Sequence, residues 1–162
     1  MQEIHKEEHY RMSQFNVNVV HKPSVSSVEC IPLAAMSAIL TASGITWKRT
    51  KLDDHYFYAS VWDSWRKIIE YLLPRVPKYY VDRFDCDNIA DWTKVHVAEE
   101  FGLNTCARVD GLADVGRGVL ESHAWSIFHD IGSGLLFQLE MQTGVIMDID
   151  DPLYIPNEIV MG

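Results

Sequence analysis

The chain has 162 residues, 48% of them hydrophobic and 11% aromatic, which excludes a disordered chain and allows about two-thirds of the unfolded surface to be buried. Its formal net charge of −9 excludes non-specific nucleic-acid binding, since that requires a surplus of basic side chains to neutralise phosphates. No apolar run approaches the roughly 18 residues of a membrane span, so no membrane partner is expected either.

The first 12 residues are polar and charged, and we expect them to form a mobile N-terminal segment ahead of a single domain at 13–162. They contain no apolar stretch of the kind found in secretory signals. The three cysteines lie far apart, form no zinc-binding pattern and cannot all pair. We therefore expect free thiols and a cytoplasmic or otherwise reducing compartment. These cysteines are Cys30, Cys86 and Cys106.

Three elements are predicted in the first half of the chain. Residues 15–20 alternate apolar and polar, which predicts a short strand. Residues 32–43 are rich in Ala, Leu, Met and Ile and are followed by Gly44, which predicts a buried helix. Residues 60–73 place apolar side chains at spacings of three and four, which predicts an amphipathic helix with Ser60 as its N-cap.

A further helix is predicted at residues 85–101. Asp85 is a good capping residue, and Gly102 suits the position just after a helix. Residues 104–109 then resemble a strand, and residues 110–118 a glycine-rich loop.

Two paired strands are predicted near the C-terminus. Residues 123–129 and 135–141 both alternate in polarity, and residues 130–134 have the composition of a turn. A turn centred between residues 131 and 132 would set His123 directly across from Glu140.

Cys86 is the leading candidate for a reactive side chain. A helix N-terminus and a nearby imidazolium both stabilise a thiolate, and Cys86 opens the predicted helix. The neighbouring carboxylates of Asp85 and Asp87 oppose ionisation and therefore require a compensating charge. The alternative is that Cys86 is a small buried hydrophobe. Cys30, which also precedes a helix, is the rival nucleophile.

His123 and Glu140 complete the pattern of a nucleophile, a base and an orienting acid on three consecutive elements. Taken singly, His123 could be an inward-facing strand histidine and Glu140 a solvated carboxylate. Trp125 lies two residues after His123 and therefore on the same face, where it could form a wall of a substrate cleft.

Oxygen-bearing side chains are the ones that a hard cation such as Ca²⁺ prefers. The predicted layout brings several of them together, although the spacing of an EF-hand is absent. These residues are Asp85, Asp87, Asn88, Glu140 and Gln142.

The motifs at residues 78–80, 84–90, 123–125 and 140–144 resemble one known family. They are similar to the C-terminal protease domain of Marasmius oreades agglutinin and its bacterial and phage relatives, over roughly residues 45–156. The resemblance implies a papain-like fold, calcium-dependent proteolysis and pairing of domains into homodimers.

Carried over by the resemblance, Cys86 would be the nucleophile, His123 the base and Glu140 the acid. Asp87, Asn88, Glu140 and Gln142 would lie near the calcium. Asn88 stands where a second aspartate is expected, which weakens that site by one charge. The lectin repeats that accompany the fungal domain are absent from this chain.

The sequence thus predicts an α+β fold of the papain-like type. A helical part would carry Cys86, and a twisted antiparallel sheet would carry His123 and Glu140. The predicted function is that of a cysteine peptidase or related amide hydrolase acting on a peptide or protein substrate. The alternative is a non-catalytic binding or structural module on the same fold.

Overall fold

A computed structural model describes residues 21–81 and 83–162. The predicted mobile segment at 1–12 and the predicted strand at 15–20 lie outside the described residues. In the described part of the chain, no helix combines the length and the apolar composition needed to cross a bilayer. The elements are β1 (Glu29–Pro32), α1 (Leu33–Ala42), β2 (Arg49–Leu52), β3 (Tyr56–Ala59), α2 (Trp62–Leu72), a 3₁₀ turn (Leu73–Arg75), α3 (Cys86–Phe101), β4 (Ala107–Ala113), β5 (Glu121–Asp130), β6 (Leu135–Glu140), β7 (Val145–Asp148) and β8 (Tyr154–Met161).

The main sheet has six strands in the order β2-β8-β4-β5-β6-β7, and β1 and β3 form a separate two-stranded sheet. All neighbours in the main sheet are antiparallel except β2 and β8, which run parallel. The prediction of a helical part beside an entirely antiparallel sheet is therefore wrong. The first half supplies three strands, and β2 joins the edge of the sheet from far along the chain.

Two hydrophobic clusters form the core, and their members alternate along the central strands. On β5, Trp125 and Ile127 belong to the first cluster, together with residues of α1 and the small sheet. Phe128 belongs to the second cluster, together with residues of α2 and α3. This alternation follows from the two-residue period of a strand, and it means that both faces of the sheet are covered.

The three helix predictions agree with the structure to different degrees. Helix α3 is confirmed, with Asp85 at its N-cap and Gly102 in the left-handed conformation at its end. Helix α2 has Val61 as its N-cap, one residue after the predicted Ser60. The hydroxyl of Ser60 donates instead to the backbone carbonyl of Ser26, at 2.6 Å. Helix α1 was expected to be buried, but only Met36 and Leu40 are.

The hairpin of β5 and β6 is confirmed, but with another register. Ser126 pairs with Leu139, and this register places Trp125, two residues beyond His123, across from Glu140. The turn is closed by Asp130, whose carbonyl accepts from Gly134 N–H at 2.9 Å and whose carboxylate accepts from Gly132 N–H at 3.1 Å. Relative to the predicted register, this tight turn shifts the pairing by two residues. Because side chains on a strand alternate with a period of two, His123 and Glu140 remain on one face of the sheet, as diagonal neighbours.

Candidate functional site

Cys86 is the first residue of α3, and local interactions fix its position. The side chain of Asn88 accepts the backbone N–H of Asp85 at 3.2 Å, as one half of a capping box. Ile89 and Ala90 follow and are buried in the core. A capped first turn with a buried face holds the half-buried thiol of Cys86 in place against the sheet.

His123 and Glu140 approach Cys86 from the sheet. The Nε2 atom of His123 and Oε2 of Glu140 are 2.5 Å apart, which leaves Nδ1 of His123 for the hydrogen bond to Cys86. The backbone N–H of Ala124 also donates to the sulfur. The structure therefore brings the three predicted side chains together.

Each of these hydrogen bonds favours the ionised form of the pair. The bond to His123 lowers the pKa of the Cys86 thiol from its ordinary 9.0, against the opposing effect of burial, and the N–H of Ala124 adds to it. The charge of Asp85 acts in the opposite direction, as expected. Burial alone would lower the pKa of His123, but its bonds to Cys86 and Glu140 raise it to about 9.

Two aromatic rings support His123 from below. The ring of Trp125 stacks on it with centroids 5.9 Å apart, and Tyr154 meets it edge-on at 6.3 Å. The indole N–H of Trp125 donates to Oε1 of Gln138 at 2.8 Å, which fixes the indole. Burial, followed by the charge of Glu140, raises the pKa of Tyr154, which hydrogen-bonds to that carboxylate.

A cleft of about 780 Å³ opens above this cluster. Its wall combines acidic, polar and aromatic side chains with aliphatic and other apolar ones. The lining residues are Tyr79, Cys86, Ala113, Asp114, Val115, Arg117, Glu121, Ser122, His123, Glu140, Gln142, Thr143, Val145, Met147, Asp151, Leu153 and Tyr154.

Trp125 occupies a different place from the one predicted. It is 1% exposed and does not line the cleft, because its indole lies in the core beneath His123. Tyr154 was missed, since strand β8 was not predicted and nothing near it in sequence resembles a site. Residues 154–161 do not alternate in polarity, so the sequence carries no clear local signal of that strand.

The predicted cation ligands are mostly engaged elsewhere. The carboxylate of Asp87 faces Arg108 at 3.7 Å, the Asn88 carbonyl caps α3, and Glu140 binds His123. Gln142 lines the cleft. Within residues 21–81 and 83–162, no group of three or more His, Cys, Asp or Glu side chains is arranged to hold a metal ion.

The other two cysteines lie away from the cleft. Cys30 is exposed on β1, and Cys106 is buried, which raises its thiol pKa to about 12. Both are free thiols in the structure, as is Cys86.

No protein-family model matches the chain, and no curated protein is similar to it in sequence. Solved structures do match. The chain is similar to the PSL1a-E64 complex, with 21% identity and a TM-score of 0.63, over 81% of this chain and 51% of that one. It is also similar to the Polyporus squamosus lectin bound to Neu5Aca2-6Galb1-4GlcNAc, a human-type influenza-binding epitope. Here the identity is 18% and the TM-score 0.57, over 82% of this chain and 49% of that one.

These likenesses show that the fold is shared with two solved structures, one of which is named a lectin, and they correct several predictions. The papain-like α+β assignment is wrong by this comparison. The predictions of a hydrolase, of a cysteine or thiol protease and of a peptide or protein substrate are corrected with it. The chain spans about half the length of each matched protein. The likeness therefore describes only the fold of the matched half of each of those proteins.

Proposed function

We propose that this chain is a binding module whose ligand site is the cleft above Cys86, His123 and Glu140. The observation that carries the proposal is the joining of a cleft lined by several carboxylates, an amide and hydroxyls to a preformed charge cluster. Binding sites are concave, largely preformed and equipped with a few fixed polar groups. In this cleft the fixed groups are held by a helix cap, a strand pair and two aromatic rings.

The charge of the cleft favours a ligand without a negative charge. The positive charges in its wall, those of Arg117 and the His123 imidazolium, are outnumbered by carboxylates, and the whole chain has a net charge of −9. An anionic ligand would be repelled by this field. The acidic residues of the wall are Asp114, Glu121, Glu140 and Asp151.

A neutral glycan is the ligand class that this wall fits best. Sugar hydroxyls both donate and accept hydrogen bonds, so carboxylates, amides and hydroxyls such as Gln142 and Thr143 can pair with them. Bonds to charged groups are the stronger ones, and Cys86 and His123 supply such groups at the base of the cleft. The lectin name of the Polyporus squamosus structure supports this class.

Binding would be measured by calorimetric titration with neutral oligosaccharides and with the sialylated trisaccharide named above. We expect neutral glycans to bind more tightly than the sialylated one, since Neu5Ac carries a carboxylate. Tyr79→Ala should weaken binding, because Tyr79 lines the cleft. Tyr56→Ala is the matched control, an exposed tyrosine on β3 outside the cleft wall.

A second readout is the alkylation of Cys86, which lines the cleft. If the cleft is the ligand site, a bound neutral glycan should protect Cys86 from alkylation by iodoacetamide. Absence of binding by every glycan would contradict the proposed site. Turnover of a fluorogenic peptide, lost in Cys86→Ala, would contradict the non-catalytic role and restore the hydrolase.

A further inference from the structure

A second charge cluster lies beside the thiol site, between the start of α3 and the middle of β4. Its centre is Arg108 on β4. Three carboxylates surround the guanidinium, those of Asp87 and Asp91 on α3 and of Asp110 on β4. The side chain of Arg108 is 24% exposed, which makes it the most shielded member of the cluster.

Asp110 orients the arginine from its own strand. Nε of Arg108 lies 3.1 Å from both carboxylate oxygens, and Nη2 lies 2.7 Å from Oδ1. Residues two apart on a strand share a face, so this bidentate contact aims the guanidinium at α3.

The remaining guanidinium nitrogen reaches the first two turns of the helix. Nη1 of Arg108 donates to Oδ2 of Asp91 at 2.9 Å and lies 3.7 Å from Oδ2 of Asp87. Asp87 and Asp91 are four residues apart on one helix face, where like charges destabilise the helix. Arg108 relieves that repulsion and ties α3 to β4 directly beside Cys86.

A divalent ion is the other way to hold such carboxylates together. Ca²⁺ requires six to eight oxygen ligands, and the Asp87 carboxylate is already turned towards a guanidinium. Among the other predicted ligands, Asn88 caps the helix and Glu140 binds His123.

We infer that Arg108 is the built-in cation of this site: it holds the start of α3 against β4 and so positions Cys86 against His123 without a divalent ion. Arg108 is a positioning residue, since it contacts neither the thiol nor the imidazole. The inference rests on the proposed function only in taking Cys86 to lie in the ligand cleft.

The test uses no ligand of the cleft, so its failure is distinct from failure of the proposed function. Iodoacetamide alkylation of Cys86 is measured at neutral pH, well below the melting temperature, with millimolar calcium or with chelator. In the wild type, alkylation and melting temperature should be the same in both conditions. Arg108→Gln should slow alkylation roughly tenfold, which corresponds to an activation free energy higher by about 1.4 kcal/mol. Arg108→Lys should restore part of the rate, because a point charge cannot reproduce the bidentate contact.

A charge-balanced variant separates positioning from general loss of stability. The double variant Asp91→Asn with Arg108→Gln keeps the net charge at −9, since one charge of each sign is removed. It should melt near the wild type and still be alkylated slowly. The control is Arg66→Gln, which breaks an exposed pair with Asp63 on α2 and should leave alkylation unchanged. The inference would be overturned if Cys86 of the Arg108 variants were alkylated as fast as in the wild type. It would also be overturned if the melting temperature of the wild type depended on calcium.

Discussion

Glu140 and His123 are diagonal neighbours on adjacent strands, and Nε2 of the imidazole still lies 2.5 Å from the carboxylate. Diagonal neighbours on one face of a sheet are within reach of long side chains. The relationship decides which ring nitrogen is available, since Glu140 engages Nε2 and leaves Nδ1 to Cys86. The charge on the imidazole, and with it the state of the thiol, therefore depends on a residue 17 positions away.

The thiol of Cys86 should be the most reactive of the three cysteines. Its hydrogen bond to His123 lowers its pKa, whereas burial raises that of Cys106 to about 12. With iodoacetamide at neutral pH we expect Cys86 to react roughly tenfold faster than the exposed Cys30, since the thiolate is the reacting species. Site-resolved mass spectrometry measures both rates. His123→Gln should slow Cys86 and leave Cys30 unchanged; faster labelling of Cys30 in the wild type would refute the activation of Cys86.

Glu140→Gln should lower the pKa of His123. The carboxylate helps to raise that pKa to about 9, and a neutral amide stabilises the imidazolium less. The titration midpoint of the His123 ring in NMR spectra should therefore move from about 9 towards 6.5. Glu121→Gln is the matched control, because Glu121 lines the same cleft but pairs with Arg117 at 3.2 Å. An unchanged midpoint in Glu140→Gln would remove Glu140 from the cluster.

His123 should also make the stability of the fold depend on pH. Its pKa is raised from 6.5 to about 9, so the folded protein binds this proton more tightly than the unfolded chain does. The resulting stabilisation is fully present below pH 6.5 and is lost as the pH rises through about 9. The rise from 6.5 to about 9 corresponds to about 3 kcal/mol, at about 1.4 kcal/mol per pKa unit, and solvent screening at this partly buried site reduces it to on the order of 2 kcal/mol.

Urea unfolding of the wild type and of His123→Gln across this pH range measures the effect. The difference in unfolding free energy should be largest at the acidic end and shrink towards the alkaline end. His55→Gln, at an exposed position before β3, is the control and should follow the wild-type curve. A difference that grows with pH would contradict the assigned direction of the shift.

Gly111→Ala should destabilise the fold strongly. A Cβ atom at Gly111 would lie 2.2 Å from the carbonyl oxygen of Ile155 and 2.7 Å from the ring of Trp125. The backbone of β8 cannot move aside without breaking its register with β4, so we expect a loss of about 2 kcal/mol or more. Gly132→Ala is the control, since its nearest neighbour is the Asp130 side chain at 3.3 Å. Equal melting temperatures of the two variants would contradict the close approach of Trp125.

The local elements of the site could be predicted because their signals are local. Asp85 and Gly102 mark the ends of α3 within one stretch of chain, and a turn with two alternating runs marks the hairpin of β5 and β6. These signals were enough to place Cys86 at a helix start and His123 on the same sheet face as Glu140. The sequence by itself therefore determined the three polar groups of the cluster.

Other features of the site arise from contacts between residues distant in the sequence. The parallel pairing of β2 with β8 joins Arg49 to Glu158, and no local pattern records it. Arg108 hydrogen-bonds to Asp91, which is 17 positions away in the sequence. Tyr154 contacts His123 only because β8 pairs with β4, which in turn pairs with β5.

The hairpin register also depended on one turn, whose carboxylate bonds shift the pairing by two residues. Only the tertiary structure decided these features, because hydrogen bonds and ion pairs between distant segments form once the hydrophobic faces of helices and sheet have packed together.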